Sequence, residues 1–92
     1  MTIRWTDRAI RDLESVHEFV SEHRPGMAPA VVDQIASAID SLTRHPEMGR
    51  QGRVTGTREL VVAPFVVAYK LRRGAVEVLA IVHGARRWPD SF

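Results

Sequence analysis

The side chains with chemistry in reach of phosphate or carboxylate gather in the second half of this sequence: Arg58, Tyr69, His83 and Arg86. Residues 50–92 hold seven arginines and Lys70 against three acids, whereas residues 1–49 hold five arginines against eight acids. The net charge of +2 hides this basic half. Such a field favours phosphates or an acidic protein partner. Arginine in place of lysine suits planar, bidentate contact with either. His83 is the only histidine of that half and the natural acid–base candidate. Tyr69 can stack on a base or donate its hydroxyl, although such an aromatic more often fills a core. Lys70 points to the opposite side of its strand from Tyr69, so the two cannot serve one face. Glu59 is the one carboxylate placed to act as a base, but alternation turns it away from Arg58.

Plainer roles stand beside each of these. His83 can end a strand and bond to a loop, and Arg58 can pair with a carboxylate. Arg86 and Arg87 are adjacent and point in different directions, so at most one is central. Trp88-Pro89 reads as an anchor that packs the tail on the domain. His17, His23 and His45 have no metal-ligand spacing, and the last two suit helix C-termini. With no cysteine, disulfides and thiolate metal sites are excluded, and no cofactor is expected.

The elements that must position these groups follow from periodicity. Thr2-Ile3-Arg4-Trp5 reads as a short strand. Thr6 is a good N-cap, and Asp7 suits the positive end of the helix dipole. Ile10, Leu13, Val16, His17 and Val20 then recur at helical spacing until Pro25-Gly26. A second helix begins near Ala28-Pro29, carries Val32, Ile35, Ala36, Ile39 and Leu42, and stops at Pro46. Pro46 to Thr57 is glycine-rich and aperiodic, so it reads as a loop. Arg58 to Val62, Phe65 to Leu71 and Val76 to His83 read as three strands of a meander, with a hairpin turn at Arg73-Gly74. The order β-α-α-β-β-β predicts an α+β fold, an antiparallel sheet packed on a helical hairpin. Residues 1–92 make one domain. The start carries no apolar signal core and no run approaches membrane-spanning length, so a soluble, cytoplasmic chain without membrane contact is expected.

The order of these elements, joined to particular residues, resembles the RelE/ParE superfamily of toxins from type II toxin–antitoxin systems. The resemblance runs through Trp5-Thr6-Asp7-Arg8-Ala9, His45-Pro46-Glu47-Met48-Gly49-Arg50, Gly56-Thr57-Arg58-Glu59-Leu60-Val61-Val62, Val67-Ala68-Tyr69-Lys70-Leu71 and His83-Gly84-Ala85-Arg86-Arg87-Trp88-Pro89. It covers essentially the whole chain through the order and spacing of these motifs. It implies a microbial-RNase-like fold and a cognate antitoxin protein that holds the toxin inactive.

Members of the superfamily divide by target. Some are ribosome-dependent endonucleases that cut mRNA, and others inhibit DNA gyrase and cut nothing. The first reading is an mRNA interferase. Metal-free RNA cleavage needs an activated 2′-hydroxyl, a stabilised phosphorane and a protonated leaving oxygen. By resemblance, Arg58 and Arg86 match basic positions that family nucleases use near the scissile phosphate. His83 would then serve as acid–base, with Tyr69 assisting. The alternative is a ParE-like, non-enzymatic inhibitor of DNA gyrase that uses the same basic surface, especially Arg86-Arg87-Trp88. A third reading is a decayed member that persists as an antitoxin-binding scaffold. Family nucleases carry several lysines or a carboxylate–histidine pairing in the sheet. This chain has a single lysine and no clear acid partner for His83.

Overall fold

Thr2–Trp5 forms the first strand, β1, and Thr6 turns the chain directly into helix α1, Asp7–His23. The computed structural model describes the chain from Met1 to Phe92. Thr6 makes this turn with one hydroxyl. Its Oγ1 accepts from the Ala9 N–H at 3.1 Å and donates toward the carbonyls of Val78 (2.8 Å) and Leu79 (3.2 Å). The cap therefore satisfies an orphan donor of the helix and also ties the helix start to the last strand. Thr6→Ala is expected to cost about 1–2 kcal/mol, read as a lowered Tm by circular dichroism. An unchanged Tm would rule out the tie.

Helix α2, Ala28–Asp40, opens with Pro29 in its first turn, where the missing N–H costs nothing. It ends before the stop expected at Pro46, because Ser41–Thr43 tightens into a 3-10 turn whose Ser41 carbonyl accepts from Arg44 N and His45 N. In α1 the buried side chains are Ala9, Val16 and Val20, with Leu13 half-buried, while Ile10 and His17 are exposed. The core-facing stripe is thus rotated slightly from the expected one, with Ala9 turned inward where Ile10 was expected.

The remaining strands are β2 (Arg50–Gln51), β3 (Arg58–Val62), β4 (Phe65–Arg72) and β5 (Ala75–His83). The last three form the expected meander. Arg73 and Gly74 both have positive φ (51° and 73°), as a type I′ hairpin turn requires. Two features depart from expectation. Arg50–Gln51, read as loop, pairs with Arg58 and Glu59 as a short edge strand. The sheet order is β1-β5-β4-β3-β2, and β1 runs parallel to β5, so the sheet is mixed rather than antiparallel. Alternation in a four-residue strand tells which face is buried, not which partner it takes or in which direction.

Both helices pack on one face of the sheet. Ile35, Ile39, Leu42, Val67, Tyr69, Val76 and Val78 are fully buried there. The other face carries a smaller cluster, Ala68, Ala80 and Val82, covered by Trp88 of the tail. No helix is long and apolar enough to cross a membrane.

Candidate functional site

One irregularity decides where His83 points. Ala68 pairs with Ala80 but Tyr69 pairs with Val78, so Leu79 is an extra residue in β5, a β-bulge. Strict alternation from Val76 and Val78 would place Ala80 and Val82 under the helices. The bulge shifts the phase, so Ile81 joins the main core while Ala80 and Val82 meet the tail. His83 follows Ile81 to the helix side, edge-on to Phe65 (5.8 Å between ring centres) and Phe19 (6.4 Å).

His83 lies in a cleft of about 260 Å³ between α1 and the end of β5. Arg8, Asp12 and Ser15 line it from the helix, and Arg86 and Arg87 from the tail. Asp12 is already engaged, accepting from Ile81 N at 2.9 Å and from Arg8 Nε at 3.5 Å. Arg86 and Arg87 are exposed and form no ion pair within the chain. The cleft is therefore positive and open at the tail. The His83 Nδ1 accepts from the Ala85 N–H at 3.1 Å. In the neutral ring this leaves the proton on Nε2.

The other two predicted residues lie elsewhere. Arg58 pairs across the sheet with Tyr69, whereas His83 pairs with Phe65, four residues further along β4. Four residues of strand span roughly 13 Å. Arg58 turns toward the Glu47–Gly49 segment, donating to Glu47 O (3.3 Å) and Gly49 O (2.9 Å), and it does not pair with Glu59. Tyr69 is wholly buried. Its hydroxyl donates to Pro46 O at 2.8 Å and accepts from Gly49 N–H at 2.9 Å. This corrects the expectation of a Tyr69 that stacks on a base: the ring fills the core and the hydroxyl fastens a loop. His83 and Arg86 share one place, Arg58 and Tyr69 another.

The basic groups that pattern reading missed are Arg50 and Arg53. Both reach over the second face of the sheet to Glu59, which is only 2% exposed. Arg50 donates Nε (3.2 Å) and Nη2 (2.9 Å) to Oε1. Arg53 gives its backbone N–H (2.8 Å) and Nε (3.1 Å) to Oε2, and Nη2 (3.1 Å) to Oε1. Burial alone raises the carboxyl's pKa, but the hydrogen bonds from the Arg53 side chain and backbone and from Arg50, together with the Arg53 charge, outweigh it and hold it at about 2. An arginine-rich loop ending in a strand with one inward glutamate was the available signal. Glu59 is a structural hub that ties Arg50 and Arg53 to the sheet.

Beyond that hub lies the tail. The Arg53 guanidinium stacks over the Trp88 ring with Cζ 3.9 Å from its centre. Trp88 also meets Phe92 edge-on at 6.3 Å, and Arg8 sits 5.3 Å from the Phe92 ring. The Trp88 Nε1 is buried with no hydrogen-bond partner. Burying a large apolar side chain stabilises by about 1.5–3 kcal/mol, while an orphaned donor costs about 1–3 kcal/mol. The two oppose each other, and the cation–π stack adds about 0.5–2 kcal/mol toward keeping the tail seated.

No three histidine, aspartate or glutamate side chains gather anywhere as a metal site would need. Residues 3–88 match the family model described as the ParE toxin of the type II toxin–antitoxin system parDE. The Sinorhizobium fredii protein Y4kP, assigned as a toxin, is 40% identical over 96% of this chain and 93% of its own. The toxin RelE2 of Caulobacter vibrioides is 34% identical over 89% of this chain and 93% of its own. Among solved structures, a chain of the chromosomal ParDE system of P. aeruginosa superposes with a TM-score of 0.82 at 24% identity, over 90% of this chain and 95% of that one. A chain of the RelBE2 toxin–antitoxin complex of Mycobacterium tuberculosis gives 0.63 at 25% identity, over 89% and 95%. The chain belongs to the ParE toxin family of type II toxin–antitoxin systems, within the RelE/ParE superfamily.

Proposed function

We propose that this toxin acts by gripping a protein target, DNA gyrase, and not by cutting RNA. The observation that carries this reading is the separation of the cleavage candidates. Metal-free RNA cleavage needs a base, a phosphorane clamp and an acid within reach of one phosphate. Arg58 serves a loop roughly 13 Å along the sheet from His83, and Tyr69 has no exposed surface. What remains free is a pair of unpaired arginines beside a large aromatic anchor, a composition typical of protein-binding hot spots.

A plasmid supercoiling measurement beside primer extension on cellular mRNA after induction tests the reading. Relaxed plasmid with intact message is expected; codon-phased 5′ ends with normal supercoiling would overturn it. Replacing Arg86 and Arg87 together by alanine is expected to weaken gyrase inhibition about 10–100-fold, measured as the toxin concentration that halves supercoiling. The mRNA-interferase reading keeps one specific support: His83 and Arg86 share the same open cleft.

The toxin is held inactive, in this reading, by a cognate antitoxin. Phe19, Met27, Val31, Val62, Pro64 and Phe65 line an apolar groove of about 290 Å³ between the helical hairpin and the β3–β4 turn, and His23 and Arg24 line it too. An amphipathic segment with acidic flanks suits that combination. Co-purification with the protein encoded beside it is the test, and a lone, stable chain that ignores its neighbour would remove the pairing.

A further inference from the structure

We infer that Glu59 is a positioning residue for the C-terminal tail: by gripping Arg53 it aims that guanidinium onto Trp88 and so sets the course of the tail past Arg86, Arg87 included. The inference rests on the reading above in one respect only, that the tail arginines form the working surface.

The chain of contacts is short. Glu59 holds Arg53 by its backbone N–H and by two side-chain nitrogens, so the guanidinium has little freedom to turn. Its exposed plane then covers Trp88 at 3.9 Å. The seat beneath Trp88 is made of Ala68, Ala80 and Val82, which offer the indole N–H nothing to bond. Apolar packing, the edge of Phe92 and the Arg53 stack hold the ring there. Backbone bonds fix the start of the tail, Gly84 N to Pro64 O and Arg86 N to His83 O. Past Arg86 the tail makes no hydrogen bond to the rest of the chain, so its course depends on where Trp88 sits.

Arg50 supplies an internal control. It grips the same carboxylate, at 2.9 Å, but the guanidinium over the Trp88 ring is that of Arg53. A residue that merely stabilised the sheet would make the two arginines equivalent. A residue that positions the tail makes them different. Lysine at either position keeps the charge but loses the planar fork that both grips and stacks.

The test follows Trp88 directly. Trp5 is the only other tryptophan, so a Trp5→Phe background leaves Trp88 as the sole indole fluorophore. Acrylamide quenching in the full chain is expected to rise several-fold for Glu59→Gln and for Arg53→Lys, and to stay unchanged for Arg50→Lys. Unchanged quenching in a folded Glu59→Gln protein, or an equal rise for Arg50→Lys and Arg53→Lys, would overturn the inference. Should Glu59→Gln fail to fold by far-UV circular dichroism, Arg53→Lys decides, because it leaves the carboxylate in place; unchanged quenching there also overturns it. Toxicity of the same variants separates the two ideas. Raised quenching with reduced toxicity supports both, while raised quenching with full toxicity upholds the positioning role and removes the tail from the proposed function.

Discussion

Tyr69→Ala is expected to lower the unfolding free energy by about 3–5 kcal/mol, the range for truncating a large aromatic in a packed core. Tyr69 is among the largest fully buried side chains. Its loss opens a cavity beneath both helices and leaves the Gly49 N–H and Pro46 carbonyl without their shared partner. Tyr69→Phe isolates the second effect and is expected to cost about 1–3 kcal/mol. Burial pushes the phenol's pKa up, against the Gly49 hydrogen bond and the Arg58 charge that pull it down, so the hydroxyl remains a donor at neutral pH. Gly49 shows how tight the joint is. A Cβ there would lie 2.6 Å from the Tyr69 hydroxyl and 2.9 Å from the Glu59 carbonyl, so even alanine forces the loop or the ring to shift. Urea unfolding of Tyr69→Phe measures the contribution. Unaltered stability with lost toxicity would return Tyr69 to the working surface and sink its structural role.

The second large effect is a dependence of stability on pH that belongs to Glu59. Its pKa is about 2 in the folded chain against an ordinary 4.5. The unfolded state therefore binds the proton more readily, and stability rises with pH between these values. The contribution is fully present above about 4.5 and is lost as pH falls through about 2. The span corresponds to about 3 kcal/mol. Because Arg50 and Arg53 are 57% and 42% exposed, solvent screening reduces this to about 2–3 kcal/mol. Glu59→Gln should flatten the profile below pH 4.5 and lower stability at neutral pH, where two arginines lose their shared counter-charge. Unfolding measured from pH 2 to 7 checks this, and a Glu59→Gln profile as steep as the parent's would assign the acid sensitivity to other carboxylates.

Tyr69 and Glu59 both carry groups capable of chemistry, yet the fold uses them to fasten one loop. A strand's alternation says that Arg58 and Glu59 face opposite ways, and they do. It does not say what each face meets. Arg58 met the carbonyls of a loop, and Glu59 met two arginines from within that loop. The partners are 6 to 11 residues away along the chain, across a glycine-rich segment without periodicity. Nothing in local spacing predicts how such a segment folds back, because its course is set by the Tyr69 hydroxyl and the close approach at Gly49.

The sequence alone determined the helical hairpin, the three-stranded meander and the segregation of positive charge into residues 50–92, since these rest on periodicity, capping and composition. The order of its motifs also carried the family. Tertiary structure decided which of the charged residues are free to work. A single extra residue at Leu79 reverses the phase of β5 and turns His83 toward the helices. The parallel pairing of β1 with β5 brings Thr6, Arg8 and Asp12 beside the end of that strand. Register and direction are long-range properties, fixed by which faces can be buried together, and a one-residue shift moves every later side chain to the other side of the sheet. That shift is why His83 and Arg86 share a cleft that Arg58 and Tyr69 do not reach.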